Sequence, residues 1–260
     1  MYLLDHPAVL FIATCVVLLL MHEIGFRLRA IAKDRDEKEW EKQVHDTRNQ
    51  IALLLSLLLG FAMSMAVSRF DERKKLVIDE ANAIGTAYLR ATMQADPIRG
   101  AAPGLLREYV DSRIAIFGND GDAHARQSAA ERSKQIQDEL WSGVTAAAQQ
   151  TPTPIVAIYA QALNEMIDLD SERVAAVRNR IPTDIWMLLA LLSIMTSVVV
   201  GYGQRHRSVL ATFVPVLMVA IAVSLIADLD SPASGFIQVS QQSLQSLSAE
   251  LHMQLDVHRE

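Results

Sequence analysis

Cysteine is almost absent: Cys15 is the only one in 260 residues. A lone thiol excludes an intrachain disulfide and any metal site built on several thiolates. Glycine (11) and proline (8) are also scarce, too few for the many turns of a β-rich chain of this length. Aromatics make up 6% against 51% for all hydrophobic types, so the apolar content is mostly Leu, Ala, Val, Ile and Met. That mixture favours helix over sheet. No excess of basic charge exists either. The net charge of −6 argues against a duplex nucleic-acid partner, which would need a concentrated basic face.

Catalytic signatures are missing as well. There is no glycine-rich phosphate loop, no nucleophile elbow and no Cys/His set. His22-Glu23 begins like the helix of a zinc protease, but position 26 is Phe, so the second histidine is lacking. Asp-Leu-Asp occurs at 168–170 and at 228–230. Alone, that triplet specifies no metal site and reads as a solvated turn of helix. No enzyme activity, cofactor or metal is expected.

What is present is a sharp segregation of charge. Pro7–Met21, Ile51–Val67, Ile185–Tyr202 and Val209–Ala227 contain no Asp, Glu, Lys or Arg. A helix needs about 20 apolar residues to cross a hydrocarbon core of about 30 Å, and these runs reach that with their flanks. A charge at mid-bilayer costs on the order of 2.5–3.5 kcal/mol, so four such gaps point to four transmembrane helices. For the first, a retained anchor is favoured over a cleaved signal peptide. No Lys or Arg precedes its apolar run, and the only Ala-x-Ala pattern near it, Ala30–Ala32, lies beyond Arg27 and Arg29.

The expected organisation is an all-α membrane protein. A first span occupies 1–26, and a charged helical connector 27–48. The second span covers 49–70 and a helical extramembrane domain 71–182. Spans at 183–203 and 209–227 precede a tail, 228–260, with an amphipathic helix. Within the domain, Val77, Ala81, Ile84 and Tyr88 continue the second span at helical spacing as far as Pro97. Pro103 is expected to open the next helix, and Gly118–Gly121 to form a turn. A third helix runs through Ile136, Leu140 and Val144; a fourth follows Pro154 through Tyr159, Leu163 and Met166. Leu244, Leu247, Leu251 and Leu255 mark the tail helix. Lys and Arg are spread evenly over the two sides, so the positive-inside rule assigns no orientation.

The second span carries small residues at every fourth position: Ala52, Ser56, Gly60, Ser64 and Ser68. Close helix packing is the commoner use of such a stripe. The alternative is a helix facing a central pathway, with small hydroxyls and leucine side chains lining it. Arg48 lies at one end of the span, and Arg69 and Arg73 at the other. Snorkelling accounts for them; repeated around an oligomer, rings of arginine at a pore mouth would favour anions.

Several stretches carry a family resemblance. They are Gly60-Phe-Ala-Met-Ser-Met-Ala-Val-Ser-Arg-Phe-Asp71 with Arg73, and Glu80-Ala-Asn-Ala-Ile-Gly-Thr-Ala-Tyr-Leu-Arg90. Leu106-Arg-Glu-Tyr-Val-Asp-Ser-Arg113 follows, then Asp228-Leu-Asp-Ser-Pro232, Gly235 and Val239-Ser-Gln-Gln242. Over roughly 10–250 the chain resembles the bacterial bestrophin-like membrane proteins. The resemblance implies a homo-oligomeric ion channel, pentameric as bestrophins are, in the bacterial cytoplasmic membrane, with the second span lining the pore and Ser56, Gly60, Phe61 and Ser64 near it. It implies chloride as the type of permeant ion, and a regulatory ion site near Asp228 and Asp230. It also implies a cytoplasmic 71–182 domain and cytoplasmic termini. Membrane lipid and inorganic ions would then be the partners.

The polar members of the motif, Glu80, Asn82, Thr86 and Arg90, need partners of their own. Glu80 and Arg90 are too far apart on one helix to pair, so bonds across helices or subunits are expected, with Arg107, Asp111 and Arg113 as candidates. A structural ion-pair network is favoured over a ligand site. Against the channel stands a second function class, a membrane sensor or scaffold whose helical domain binds a ligand or protein.

Overall fold

A computed structural model describes residues 6–31, 37–118, 123–232 and 235–257, without the side chains of 37–39 and 254–257. Among these residues eight helices follow in order: α1 (Pro7–Ile31), α2 (Glu37–Thr92), α3 (Ile98–Phe117), α4 (Ala123–Gln150), α5 (Pro154–Arg178), α6 (Thr183–Tyr202), α7 (Val209–Asp230) and α8 (Gln242–Val257). No strand occurs among the described residues. The chain divides into a first unit, 1–70 with 180–238, and a second unit, 71–179 with 239–260. Stretches long and apolar enough to cross a membrane lie within Pro7–Ile31, Trp40–Thr92, Pro154–Tyr202 and Val209–Asp230. The protein is an all-helical integral membrane protein.

Nothing interrupts α2 because it holds no proline and its two glycines, Gly60 and Gly85, stand alone in strong helix formers. Its 56 residues extend about 84 Å at 1.5 Å per residue, far beyond the hydrocarbon thickness.

In the first unit, α1 and α6 meet without side chains between them. A Cβ on Gly25 would lie 2.1 Å from the Val198 carbonyl oxygen, and one on Gly201 2.1 Å from the His22 carbonyl oxygen. One turn away, Ser197 Oγ donates to the Leu18 carbonyl at 2.6 Å. Small residues permit backbone contact of this kind, which is how membrane helices associate when hydrophobic transfer gives no drive. His22, buried against α7, shares a 3.0 Å hydrogen bond with Thr212 Oγ1.

The second unit has an aqueous-type core. Val77, Ile84 and Tyr88 of α2 pack with Leu106, Tyr109 and Val110 of α3, Ile136 and Leu140 of α4, and Tyr159, Leu163 and Met166 of α5. Leu244 and Leu251 of α8 close it. Burial of each large side chain is worth roughly 1.5–3 kcal/mol, so α8 is held by at least two such anchors. The side chain of Leu255 and residues 119–121 of the expected turn fall outside the described residues.

Pro103 does not open α3. The helix begins a turn and a half earlier at Ile98, after Pro97, and Pro103 lies inside it. Buried Ile98 and Ala102 hold that first turn against the core, which offsets the one backbone bond a proline cannot donate. For α5, Thr153 caps the helix, its Oγ1 accepting from Val156 N at 3.3 Å, with Pro154 in the first position.

Candidate functional site: the exposed face of α2 and a buried ion-pair network

Two faces of α2 bear on function. In the membrane stretch, Leu55, Ala62 and Ala66 are buried against the subunit. Ser56, Gly60, Phe61 and Ser64 lie on the opposite side and are exposed. A Cβ built on Gly60 would meet nothing within 4 Å. From Ser56 to Ser68 the small-residue stripe is therefore not used for packing inside the subunit. Leu53, Leu57 and Phe61, each more than half exposed, flank it.

The arginines at the ends of the span do not share that face. At 3.6 residues per turn, Arg48, Arg69 and Arg73 lie roughly 120–180° around the helix from Gly60. Arg73 is 5% exposed, and Arg48 and Arg69 are half-buried. Partial burial at these positions fits arginines whose stems lie along apolar surface.

In the second unit the Glu80 stretch splits between two sides of α2. Glu80 is fully buried and receives two guanidinium groups: Arg113 of α3 at 2.5 Å on Oε1, and Arg173 of α5 on Oε2. Arg113 also pairs with Asp170, and Arg173 donates to Gln241 Oε1 at the start of the tail. Gln137 Nε2 extends the network, donating to Asp170 at 2.8 Å and to the Tyr109 hydroxyl at 3.0 Å. Phe117 stacks on both arginines, its ring centre 3.8 Å from the Arg173 guanidinium carbon and 5.2 Å from that of Arg113. Burial alone would depress Arg113, yet the surrounding Glu80 and Asp170 carboxylates hold it above its usual value. Burial pushes the Tyr109 hydroxyl well above the phenol range, which keeps it a neutral partner for Gln137.

Asn82 and Thr86 lie on the other side, where α2 and α5 border an open cleft of about 700 Å³. Asp79, Asn164, Glu165 and Asp168 also line it. Arg90 donates to the Ile158 carbonyl at 2.7 Å and ties the end of α2 to α5. Of the expected partners of Glu80, only Arg113 reaches it. Asp111, two residues away and on the outer side of α3, instead accepts from Ser248 at 2.7 Å and lies 3.1 Å from His252 of α8. Arg107 is half-buried on α3.

A family model for the bestrophin-like domain matches residues 12–244. The chain belongs to the bestrophin-like family. Its fold is similar to crystal structures of a bacterial bestrophin homologue from Klebsiella pneumoniae. One, phased by Zn-SAD, is 14% identical with a TM-score of 0.65 over 92% of this chain and 96% of that one. Another, carrying a D269A mutation, is 15% identical with a TM-score of 0.66 over 96% and 99%. At such identity the likeness concerns the fold. No curated protein matches the chain.

The family stretch that begins in the last turn of α7 has a structural use within the first unit. Asp228 accepts from Phe236 N at 2.8 Å and Ile237 N at 3.2 Å; Asp230 accepts from Ile181 N at 3.0 Å. Both carboxylates are 4% exposed, so neither is a solvated side chain as the bare triplet suggests. A Cβ on Gly235 would stand 2.2 Å from Asp228 Oδ1, which explains the glycine. Among the described residues, no group of three or more His, Cys, Asp or Glu is placed to hold a metal ion.

Sequence reasoning missed Asp170, Arg173 and Gln241. A usable signal existed on α5: Tyr159, Leu163, Met166, Asp170 and Arg173 recur at three- and four-residue steps along one side. An acid and a base continuing an apolar stripe mark a buried ion pair rather than a solvated triplet.

Proposed function

We propose that this bestrophin-like protein is an oligomeric ion channel of the bacterial cytoplasmic membrane, with α2 facing a central pathway. The supporting observation is the exposed stripe at Ser56, Gly60, Phe61 and Ser64, which the subunit leaves uncovered although it uses Gly25 and Gly201 for tight packing elsewhere. A small-residue helix without an internal partner suits a position where copies of one chain approach a shared axis. Five copies follow from kinship with bestrophins. Inorganic ions would pass beside serine hydroxyls, and lipid would cover the outer helices. The anion preference rests on the resemblance, with Arg48, Arg69 and Arg73 at the ends of the span as its candidate charges.

Purified protein in planar bilayers is expected to give currents that Ser64→Trp blocks and Gly60→Leu reduces. Silence of a folded wild-type oligomer in both polarities would overturn the reading. A second reading, a sensor or scaffold, rests on the cleft beside Asn82 and Thr86, whose amides and carboxylates could hold a cationic ligand. A reporter fused after Glu260 separates the two: a cytoplasmic signal fits the channel layout, an external one the outward-facing sensor.

A further inference from the structure

α1 and α7 run antiparallel in the first unit. Ser224 donates to the Pro7 carbonyl at 3.2 Å near one end of the pair, and His22 meets Thr212 near the other. The last turns of α1 and the start of α7 therefore lie together, just past the charge-free runs Pro7–Met21 and Val209–Ala227. Charges so placed stand at the depth of lipid headgroups. Between the two helices an open crevice of about 320 Å³ remains. Leu19 and Phe26 of α1 line it with Val209 and Phe213 of α7, and Arg207 borders it from the turn before α7. Val209 and Phe213 are each more than half exposed, so the subunit leaves this apolar space unfilled.

The charges at its mouth do not balance. Glu23 Oε1 accepts from Arg27 Nε at 2.8 Å and from Arg207 Nη2 at 2.9 Å, so one carboxylate serves two guanidiniums. Neither arginine has a second acidic partner among the described residues. Arg205, in the same turn as Arg207, differs: among the described residues Glu41 pairs with it alone. The unmatched charge is also within reach. The side chains of Arg27 and Arg207 are 75% and 70% exposed and that of Glu23 only 31%, so an arriving anion meets guanidinium before carboxylate. The positive N-terminal end of α7 begins beside Arg207 and adds to the excess.

We propose that the crevice holds an anionic phospholipid, its phosphate against Arg27 and Arg207 and one acyl chain between α1 and α7 along Leu19 and Phe213. At about 30 Å³ for a water-sized group, the space takes roughly ten methylene-sized units, much of one chain. A soluble anion would match the charge and leave the apolar walls bare. A zwitterionic lipid would cover the walls, but its own cation already balances its phosphate, and the extra guanidinium would stay unmatched. Net negative charge and an acyl chain together satisfy both. This inference rests on the membrane location of α1 and α7 and not on ion conduction.

Native mass spectrometry of the detergent-solubilised protein, supplied with phosphatidylglycerol and phosphatidylcholine of equal chain length, reads the preference. About one phosphatidylglycerol per chain is expected to survive conditions that strip phosphatidylcholine. Arg27→Gln combined with Arg207→Gln should lower its retention about tenfold or more. Arg205→Gln should leave retention unchanged, and Leu19→Trp, which fills the crevice, should abolish it. Thermal unfolding of the wild type supplies a reading that needs no variant to fold: phosphatidylglycerol should raise the midpoint by several degrees and phosphatidylcholine should not. Equal retention or equal stabilisation by the two lipids would overturn the proposal, as would a double variant that keeps its lipid as well as Arg205→Gln does. The same thermal shift with inorganic phosphate in place of lipid would mark a site for free anions, and the lipid assignment would fail.

Discussion

Glu80 is the residue on which the second unit depends most. Among the described residues it is the only carboxylate paired with both Arg113 and Arg173, and all three side chains are at most 3% exposed. Removing one partner from a buried ion pair is worth about 3–5 kcal/mol, chiefly because the remaining charge is left in a poor solvent. Glu80→Gln is therefore expected to destabilise the protein by roughly that amount, with Arg173 the more exposed to the loss since Arg113 keeps Asp170. Denaturant unfolding of the detergent-solubilised protein measures it. Adding Arg173→Gln should recover part of the loss, because an uncompensated charge leaves with it. A Glu80→Gln variant within about 1 kcal/mol of wild type would mean the network is not holding the domain. The need for partners was readable from four polar residues in an apolar helix. The identity of Arg173 was not, because 93 positions separate it from Glu80 and only the fold brings them together.

At the scale of helices, two glycines that look alike in sequence behave oppositely. Gly25 faces the backbone of α6, where an added Cβ would stand 2.1 Å from a carbonyl oxygen. Gly60 faces open space. Gly25→Ala must push two helices apart, so a loss of about 1–3 kcal/mol or more is expected. Gly60→Ala should leave the subunit's stability unchanged or raise it by up to about 1 kcal/mol from helix propensity. Thermal unfolding of the two variants in one detergent tests the contrast; equal losses would contradict it. Periodic small residues revealed that α2 has a special side, and charge-free runs revealed the spans. Neither signal tells which small residue meets a backbone, because that depends on the crossing point of helices distant in sequence. Pro103 fails as a helix start for a related reason: burial of Ile98 and Ala102 outweighs a local rule.

For the whole molecule, the question is what covers the outer side of α2. Three occupants are available in a membrane: lipid, a neighbouring copy, or water in a pathway. They differ in one respect that chemistry can read, since a thiol reacts with charged reagents only where water supports the thiolate. Cys15 is the only native cysteine, so Cys15→Ser gives a clean background. In it, Ser64→Cys places a thiol on the stripe, and Met218→Cys places one on an exposed position of α7. If the stripe lines a hydrated axis, a membrane-impermeant, charged thiol reagent should modify Ser64→Cys quickly and Met218→Cys slowly. Where copies pack side by side through the stripe with no opening, neither reacts, and Ser64→Cys instead forms disulfide-linked dimers on oxidation. Lipid coverage gives neither modification nor crosslinks. Only the first pattern agrees with a conducting pathway along α2, because ions need water to approach the same hydroxyls that the reagent must reach.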